Sequence, residues 1–256
     1  MNKVALITGS TSGIGLGIAK HFAKKGYHIM CHGLEANGPE IAEDIKKNYN
    51  VNVGFSNANL INANEVEQLV ENTIKTLGRI DVLVNNAGIQ YVAPIDEFPN
   101  SKYEAIIAIN MNASFYASKA AWKYMKKQSF GRIINISSVH GLRASEYKTA
   151  YVTAKHGVIG MTKVLGLEGA PYNITCNAIC PGYVRTPLVE KQIPDQAKSH
   201  NMSEEEVITN VMLKKQAVKS FVPIESLADM ALLLAKETSS TITGSEFVLD
   251  GGWTAQ

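Results

Sequence analysis

Cysteine is scarce, charge of one sign is never bunched, and long hydrophobic runs are missing; each absence removes a class of protein. Cys31, Cys176 and Cys180 are an odd number with no Cys-x-x-Cys or Cys/His spacing, which argues against a disulfide framework and a zinc site. If ITCNAIC is a strand, Cys176 and Cys180 share a face but lie roughly 13 Å apart, too far to bridge. The 25 Lys and Arg are interspersed with 23 Asp and Glu, a net charge of +2, so no basic surface for nucleic acid is expected. A small anionic ligand, which needs only a few local cations, stays open. No apolar run approaches the roughly 18–20 residues of a membrane span. The N-terminal MNKVALITGS is too short in its apolar part for a secretion signal. The expectation is a reduced, soluble, cytoplasmic protein without nucleic-acid or membrane partners.

What is present is a regular alternation of short β-rich runs with longer helical patterns. Strands are expected at Val4–Thr8, His28–His32, Val51–Ser56, Ile80–Asn85, Arg132–Ser137, Ile174–Cys180 and Glu246–Leu249. Runs such as VALI, IDVLV and RIINI are nearly continuously apolar, as parallel strands covered on both faces are. Helices are expected at Gly13–Gly26, Pro39–Asn48, Ala63–Leu77, Ser101–Lys127, Thr149–Gly169 and Ile224–Lys236. This order implies a doubly wound α/β fold: seven parallel strands with right-handed crossovers and helices on both faces. With no repeat and no linker, residues 1–256 read as one domain. The strandless, polar stretch 185–221 is a long connection following a strand's carboxyl end, and it reads as a helical substrate lid.

Strand one runs into Thr8-Gly9-Ser10-Thr11-Ser12-Gly13-Ile14-Gly15. Glycines at a first strand–helix junction allow a tight turn and close approach to a pyrophosphate at the helix N-terminus, so a dinucleotide is the expected ligand. The end of strand two, CHGLEANG, has no cation before Lys46, and the glycine turn has none either. A 2′-phosphate would find no partner, which favours NAD. Glu35 either reaches the ribose hydroxyls or is an exposed loop acid; the residues leave both open.

Tyr151 and Lys155 are four apart, on one face of a helix. An ammonium beside a phenol lowers its pKa and makes it a usable base for a hydroxyl proton. Ser138 ends strand five, thirteen residues before Tyr151. Its context, NISSVHG, is not the GxSxG elbow of a nucleophilic serine, and no acid is placed to orient His140.

The TGxxxGxG turn, NNAG at 85–88, Ser138, the Tyr151/Lys155 pair and PGYVRT at 181–186 resemble the short-chain dehydrogenase/reductase family across nearly the whole chain. The resemblance implies a Rossmann-type fold and a catalytic tetrad of Asn110, Ser138, Tyr151 and Lys155, with Asn112 the competitor for the first place. It implies a cofactor site built from Gly9, Thr11, Ser12, Gly13, Ile14, Gly15, Gly33, Leu34, Asn59, Leu60, Asn86, Ala87, Gly88, Tyr151, Lys155, Pro181, Gly182, Val184 and Thr186. Asn59 stands where the family usually has Asp, and Gly33 and Leu34 stand near the usual NAD-selecting acid. GIQYVAPIDEFP, KTAYVTAKHGV, TCNAICPGYVRTPLVEKQI and the ending DGGW are similar to family members that act on a short hydroxy acid. That similarity implies oxidation of (R)-3-hydroxybutyrate to acetoacetate with NAD. Gln90, Ser138, His140, Lys148, Tyr151 and Gln192 would hold the substrate, with no metal. Tyr183 stands where such enzymes often carry Trp. Each polar residue of this set also has an ordinary reading, as a loop, strand-end or helix-surface side chain. The implied assembly is a homotetramer, although a thick monomer core also explains Ile106, Ile107, Ile109, Phe115, Val158, Ile159 and Leu165. Two other functions remain: a 3-oxoacyl thioester reductase, which needs a cation near strand two, and a non-catalytic dinucleotide sensor, which has no need of Tyr151, Lys155 and Ser138.

Overall fold

A computed structural model describes residues 2–190 and 193–255. Its centre is a parallel sheet of seven strands: β1 (Val4–Ile7), β2 (His28–His32), β3 (Val53–Ser56), β4 (Val82–Asn85), β5 (Gly131–Ile136), β6 (Ile174–Pro181) and β7 (Glu246–Leu249). Their order in the sheet is β3-β2-β1-β4-β5-β6-β7. The chain winds outward from β1 to β3, crosses back over β1 to β4, and winds outward again. Where the direction reverses, the crossover helices leave a crevice at the carboxyl ends of β1 and β4.

The alternation of side chains along each strand divides the core into two layers. Ala5 and Ile7 of β1, with Val82 and Val84 of β4, pack beneath helices α1 (Gly13–Lys24), α2 (Gly38–Tyr49) and, from later in the chain, residues Leu227, Ala228 and Ala231. Leu6 and Leu83 point the other way, against α3 (Ala63–Leu77). In α3, Val66, Leu69, Val70 and Thr73 fall on one stripe and are all buried. Its start is capped by Asn62, which accepts from the Asn64 N–H at 3.0 Å, and its end by Gly78 at φ +84°. Each fully buried Leu or Val of this stripe contributes about 1.5–3 kcal/mol.

The long helix expected at Ser101–Lys127 is present but interrupted. Helix α4 (Asn100–Ile107) passes through a π-helical turn at Ala108–Asn112 into α5 (Ala113–Gln128). The extra residue in that turn carries Asn110 inward, leaving it 1% exposed while Asn112 is half-buried. The Asn110 amide then clamps a loop: it accepts from the Ile89 N–H at 2.8 Å and donates to the Ile89 carbonyl at 2.9 Å. After β5, α6 (Thr149–Gly169) lies as expected. The segment 185–221 contains short helices α7 (Pro187–Glu190), α8 (Ile193–His200) and α9 (Glu204–Val207), with no strand among its described residues. Ile193, Ala197, Val207 and Met212 form its own small apolar cluster against Tyr183. Helix α10 (Ile224–Ala235) returns the chain to β7. The three cysteines are free and buried, and burial pushes the Cys176 thiol up to about 12.

At the amino end of the sheet, fully buried Asp81 accepts the Val4 N–H at 2.8 Å and two bonds from the Arg79 guanidinium, at 2.8 and 2.6 Å. Asp81→Ala strands a buried N–H and a half-buried guanidinium, and should cost about 3 kcal/mol. Urea unfolding of the two proteins checks this.

Candidate active site

The crevice begins at the glycine turn. Gly9 and Gly13 sit at φ +62° and +52°, where side chains are disfavoured. A Cβ on Gly15 would lie 2.1 Å from the Gly9 carbonyl oxygen, so the helix can approach the strand only as glycine. The Asn86 amide fixes the turn from β4, donating to the carbonyls of Thr8 at 2.9 Å and Gly9 at 3.0 Å. In return the Thr8 hydroxyl accepts the N–H groups of Asn86 and Ala87 at 3.0 and 3.1 Å. Helix α1 opens with Ser12, whose side chain makes no cap, so its first-turn N–H groups face the crevice without a side-chain partner. That cradle fits a pyrophosphate.

Two adjoining pockets, of about 1010 and 900 Å³, share Ile14, Asn86, Gly88, Ile89 and Thr186 and run as one groove over the carboxyl ends of the strands. The first is lined by Gly9, Ser12, Gly13, His32, Gly33, Leu34, Glu35, Ala58, Asn59, Leu60 and Ala87. Among the described residues, no Lys or Arg lines it. Thr11 and Gly15 lie behind its wall. The Thr11 hydroxyl donates to the Glu35 carboxylate and holds its pKa below the usual carboxylate range. Glu35 is therefore oriented across the pocket, and a Cβ on Gly33 would strike the Thr11 hydroxyl at 2.1 Å. The Asn59 side-chain carbonyl is committed to the Ile61 N–H at 3.1 Å, which leaves its amide N–H groups for a ligand.

The second pocket holds Ser138, Tyr151 and Lys155 with Pro181, Gly182 and Val184. Burial raises the Tyr151 phenol above its ordinary pKa, opposed by a hydrogen bond with Ser138. Burial also pushes Lys155 down to about 8. The Lys155 ammonium donates to the Ile136 carbonyl at 2.7 Å and sits 5.5 Å from the centre of the Tyr151 ring. A direct ammonium–phenolate contact, which i, i+4 spacing suggested, is thus replaced by a carbonyl tether that holds Lys155 beside the ring. Asn110 lines neither pocket; it stands behind them and fixes Ile89, which lines both.

Toward the mouth lie Gln90, His140 and Lys148. The Lys148 Nζ is 3.3 Å from His140 Nε2, so the ammonium donates to a neutral imidazole. Burial, reinforced by Lys148, pushes His140 down to about 4. Burial, reinforced by Lys215, lowers Lys148 as well. Among the described residues, no Asp or Glu lines the pocket. Gln192 lies outside the described residues. The sequence reading missed Trp253, which stacks on Tyr183 with ring centres 6.0 Å apart and meets the His140 ring edge-on at 5.4 Å. Its signal was the Asp250-Gly251-Gly252 turn after β7: both glycines have positive φ, and the Asp250 carboxylate accepts the N–H groups of Gly252 at 2.8 Å and Thr254 at 2.7 Å. That turn folds the indole back over the mouth.

Comparisons with known proteins identify the family. The short chain dehydrogenase family matches residues 3–197. The chain is 46% identical to D-beta-hydroxybutyrate dehydrogenase of Rhizobium meliloti, over 100% of both chains. It is 44% identical to the enzyme of the same name from Cupriavidus necator, covering 99% of this chain and 98% of the other. A crystal structure of a variant actinorhodin polyketide ketoreductase with NADPH superposes with a TM-score of 0.93, at 29% identity over 100% of this chain and 98% of that one. The chain belongs to the short-chain dehydrogenase/reductase family, oxidoreductases that bind a nicotinamide dinucleotide.

Proposed function

We propose that the protein interconverts (R)-3-hydroxybutyrate and acetoacetate with NAD. The observation that carries this reading is the Lys148–His140 pair, a cation and a neutral ring 3.3 Å apart beside Tyr151 in a pocket that no acid lines among the described residues. One fixed positive charge next to the proton-transfer group suits a short carboxylate whose hydroxyl is two carbons from the carboxyl carbon. The stacked Tyr183 and Trp253 rings close the space around it and favour a small alkyl group. Both relatives named for this activity match the chain from end to end.

In this reading the groove holds the dinucleotide along Gly9–Gly15, Gly33–Leu34, Asn59–Leu60, Asn86–Gly88 and Pro181–Thr186. When bound, it supplies the hydride acceptor or donor that the side chains lack. Tyr151 takes the hydroxyl proton in oxidation and returns it in reduction. Ser138, beside Tyr151 in the same pocket, holds the reacting oxygen. Lys155, tethered 5.5 Å from the ring, stabilises the phenolate and binds the ribose. Asn110 keeps the Ile89 loop in place for a proton relay. NAD rather than NADP is supported by an adenosine pocket that no cation lines among the described residues and by Glu35, whose charge opposes a 2′-phosphate. The segment 185–221, with Gln192, acts as the lid. Exposed Phe115, Val164 and Leu167 on α5 and α6 support a homotetramer. Among the described residues no helix is long and apolar enough to cross a membrane, consistent with action in the cytoplasm.

NADH formation with each enantiomer of 3-hydroxybutyrate, and with NADP in place of NAD, tests the reading. Turnover of the R form with NAD is expected; silence on both enantiomers, with reduction of a 3-oxoacyl thioester, overturns it. Tyr151→Phe should lower kcat by about 100-fold or more while NADH still binds. Lys148→Ala should raise KM for the hydroxy acid about tenfold or more and change kcat less, because the carboxylate contact is the same in ground and transition states. A loss confined to kcat rejects that role.

A further inference from the structure

His32 ends β2 beneath the adenosine side of the groove and is 3% exposed. Both of its ring nitrogens are engaged by backbone. Nδ1 lies 3.1 Å from the Gly9 nitrogen, whose N–H donates to it. Nε2 lies 2.9 Å from the Ala58 carbonyl oxygen. An N–H on one side and a carbonyl on the other leave a single assignment for the ring: neutral, with its proton on Nε2. Burial, which lowers its pKa, keeps it neutral. The backbone of the same residue is laced to the turn as well, for the His32 N–H donates to the Ser10 hydroxyl at 2.9 Å and its carbonyl accepts the Ser10 N–H at 2.7 Å.

We infer that His32 is a positioning residue of the dinucleotide site: its imidazole ties the glycine turn to the Ala58–Leu60 wall and sets where the Gly9 peptide stands. The inference rests on the dinucleotide reading of the groove. Gly9 has φ +62°, and its carbonyl is already held by Asn86 at 3.0 Å. The His32 ring holds the other side of the same residue. The turn facing the pyrophosphate is therefore clamped from β4 through one side chain and from β2 through another. Ala58, at the far end of the ring, begins the Ala58–Leu60 wall of the groove. One side chain thus spaces the phosphate end from the base end.

The two bonds are separable by substitution. In His32→Asn the amide oxygen stands near the place of Nδ1 and keeps the acceptor for Gly9, while the reach to Ala58 is lost. In His32→Gln the amide nitrogen stands near the place of Nε2 and keeps the donor to Ala58, while the acceptor for Gly9 is lost. His32→Leu keeps bulk and neither bond. NADH affinity, followed by nicotinamide fluorescence at neutral pH, should fall about tenfold or more in the Gln and Leu proteins and stay within about threefold in the Asn protein, as expected for loss or retention of one buried hydrogen bond. For the wild type, nitrogen-15 spectra of the labelled imidazole should show the proton on Nε2. At saturating NAD, KM for the hydroxy acid should be unchanged in the Gln protein. A Leu protein that binds NADH as tightly as wild type overturns the inference, as does a Gln protein that matches the Asn protein. Equal losses in Asn and Gln with a parallel fall in Tm assign His32 to packing alone and likewise overturn it. Wild-type protein that is folded but does not bind NADH overturns the dinucleotide reading itself, and the positioning role falls with it.

Discussion

The groove depends on how Asn86 holds the glycine turn. Two parallel strands that end side by side at a reversal of winding leave their last carbonyls pointing into an open crevice, and unsatisfied carbonyls there are costly. The Asn86 amide takes the carbonyls of Thr8 and Gly9, and the Thr8 hydroxyl takes the next two N–H groups of β4. The reciprocal bonds lock the turn without placing any atom in the space above it. Every later feature uses that space: the open N-terminus of α1, the shared walls at Ile14 and Gly88, and the passage from one pocket to the next.

Burial governs the chemistry beyond the turn. Tyr151, Lys155, His140 and Lys148 line one pocket, and in each case desolvation by burial is the largest influence, favouring the neutral form. A pocket that penalises charge yet, among the described residues, is lined by two lysines and no acid is electrostatically incomplete. An entering carboxylate supplies the missing counter-charge, and its attraction to Lys148 is strong because little water screens it. Lys155 remains tethered to the Ile136 carbonyl at 2.7 Å. Its proton is therefore held by a backbone dipole, a partner that does not compete for the phenol.

Strands and long helices were legible in the sequence because their periodicity is a property of the residues themselves. β2, α3, α6 and β7 begin and end where the patterns of Ile29, Val66, Ala154 and Phe247 place them. Ser138, Tyr151 and Lys155 stood out as candidates because they sit just past a strand end and on one helix face, whereas Asn110 came only with the family resemblance. The π-helical turn was not: AINMN has no residue that breaks a helix, and the turn is visible only through the bonds Asn110 makes to Ile89, twenty-one residues earlier in the chain. Trp253 and His32 were missed for a related reason. Each touches the groove through contacts distant in the chain, His32 with Gly9 and Trp253 with Tyr183 and His140, and no local spacing announces such meetings.

The two halves of the groove are also supported differently, and this separates chemistry from choice of substrate. Ser138, Tyr151 and Lys155 stand on β5's end and on α6, whose buried face includes Ala150, Ala154 and Val158. The aromatic pair stands on connections: Tyr183 after β6 and Trp253 after β7. The Gln216 amide joins these connections, accepting the Tyr183 N–H at 3.1 Å and donating to the carbonyls of Val218 at 3.2 Å and Ser220 at 2.9 Å. Val218 in turn donates to the Gly251 carbonyl at 2.9 Å, beside the turn that carries Trp253. Movement of residues 216–220 would therefore carry both rings together while leaving Tyr151 on its helix. On the proposed function, the alkyl end of the substrate would meet parts that can shift, and the reacting carbon parts that cannot.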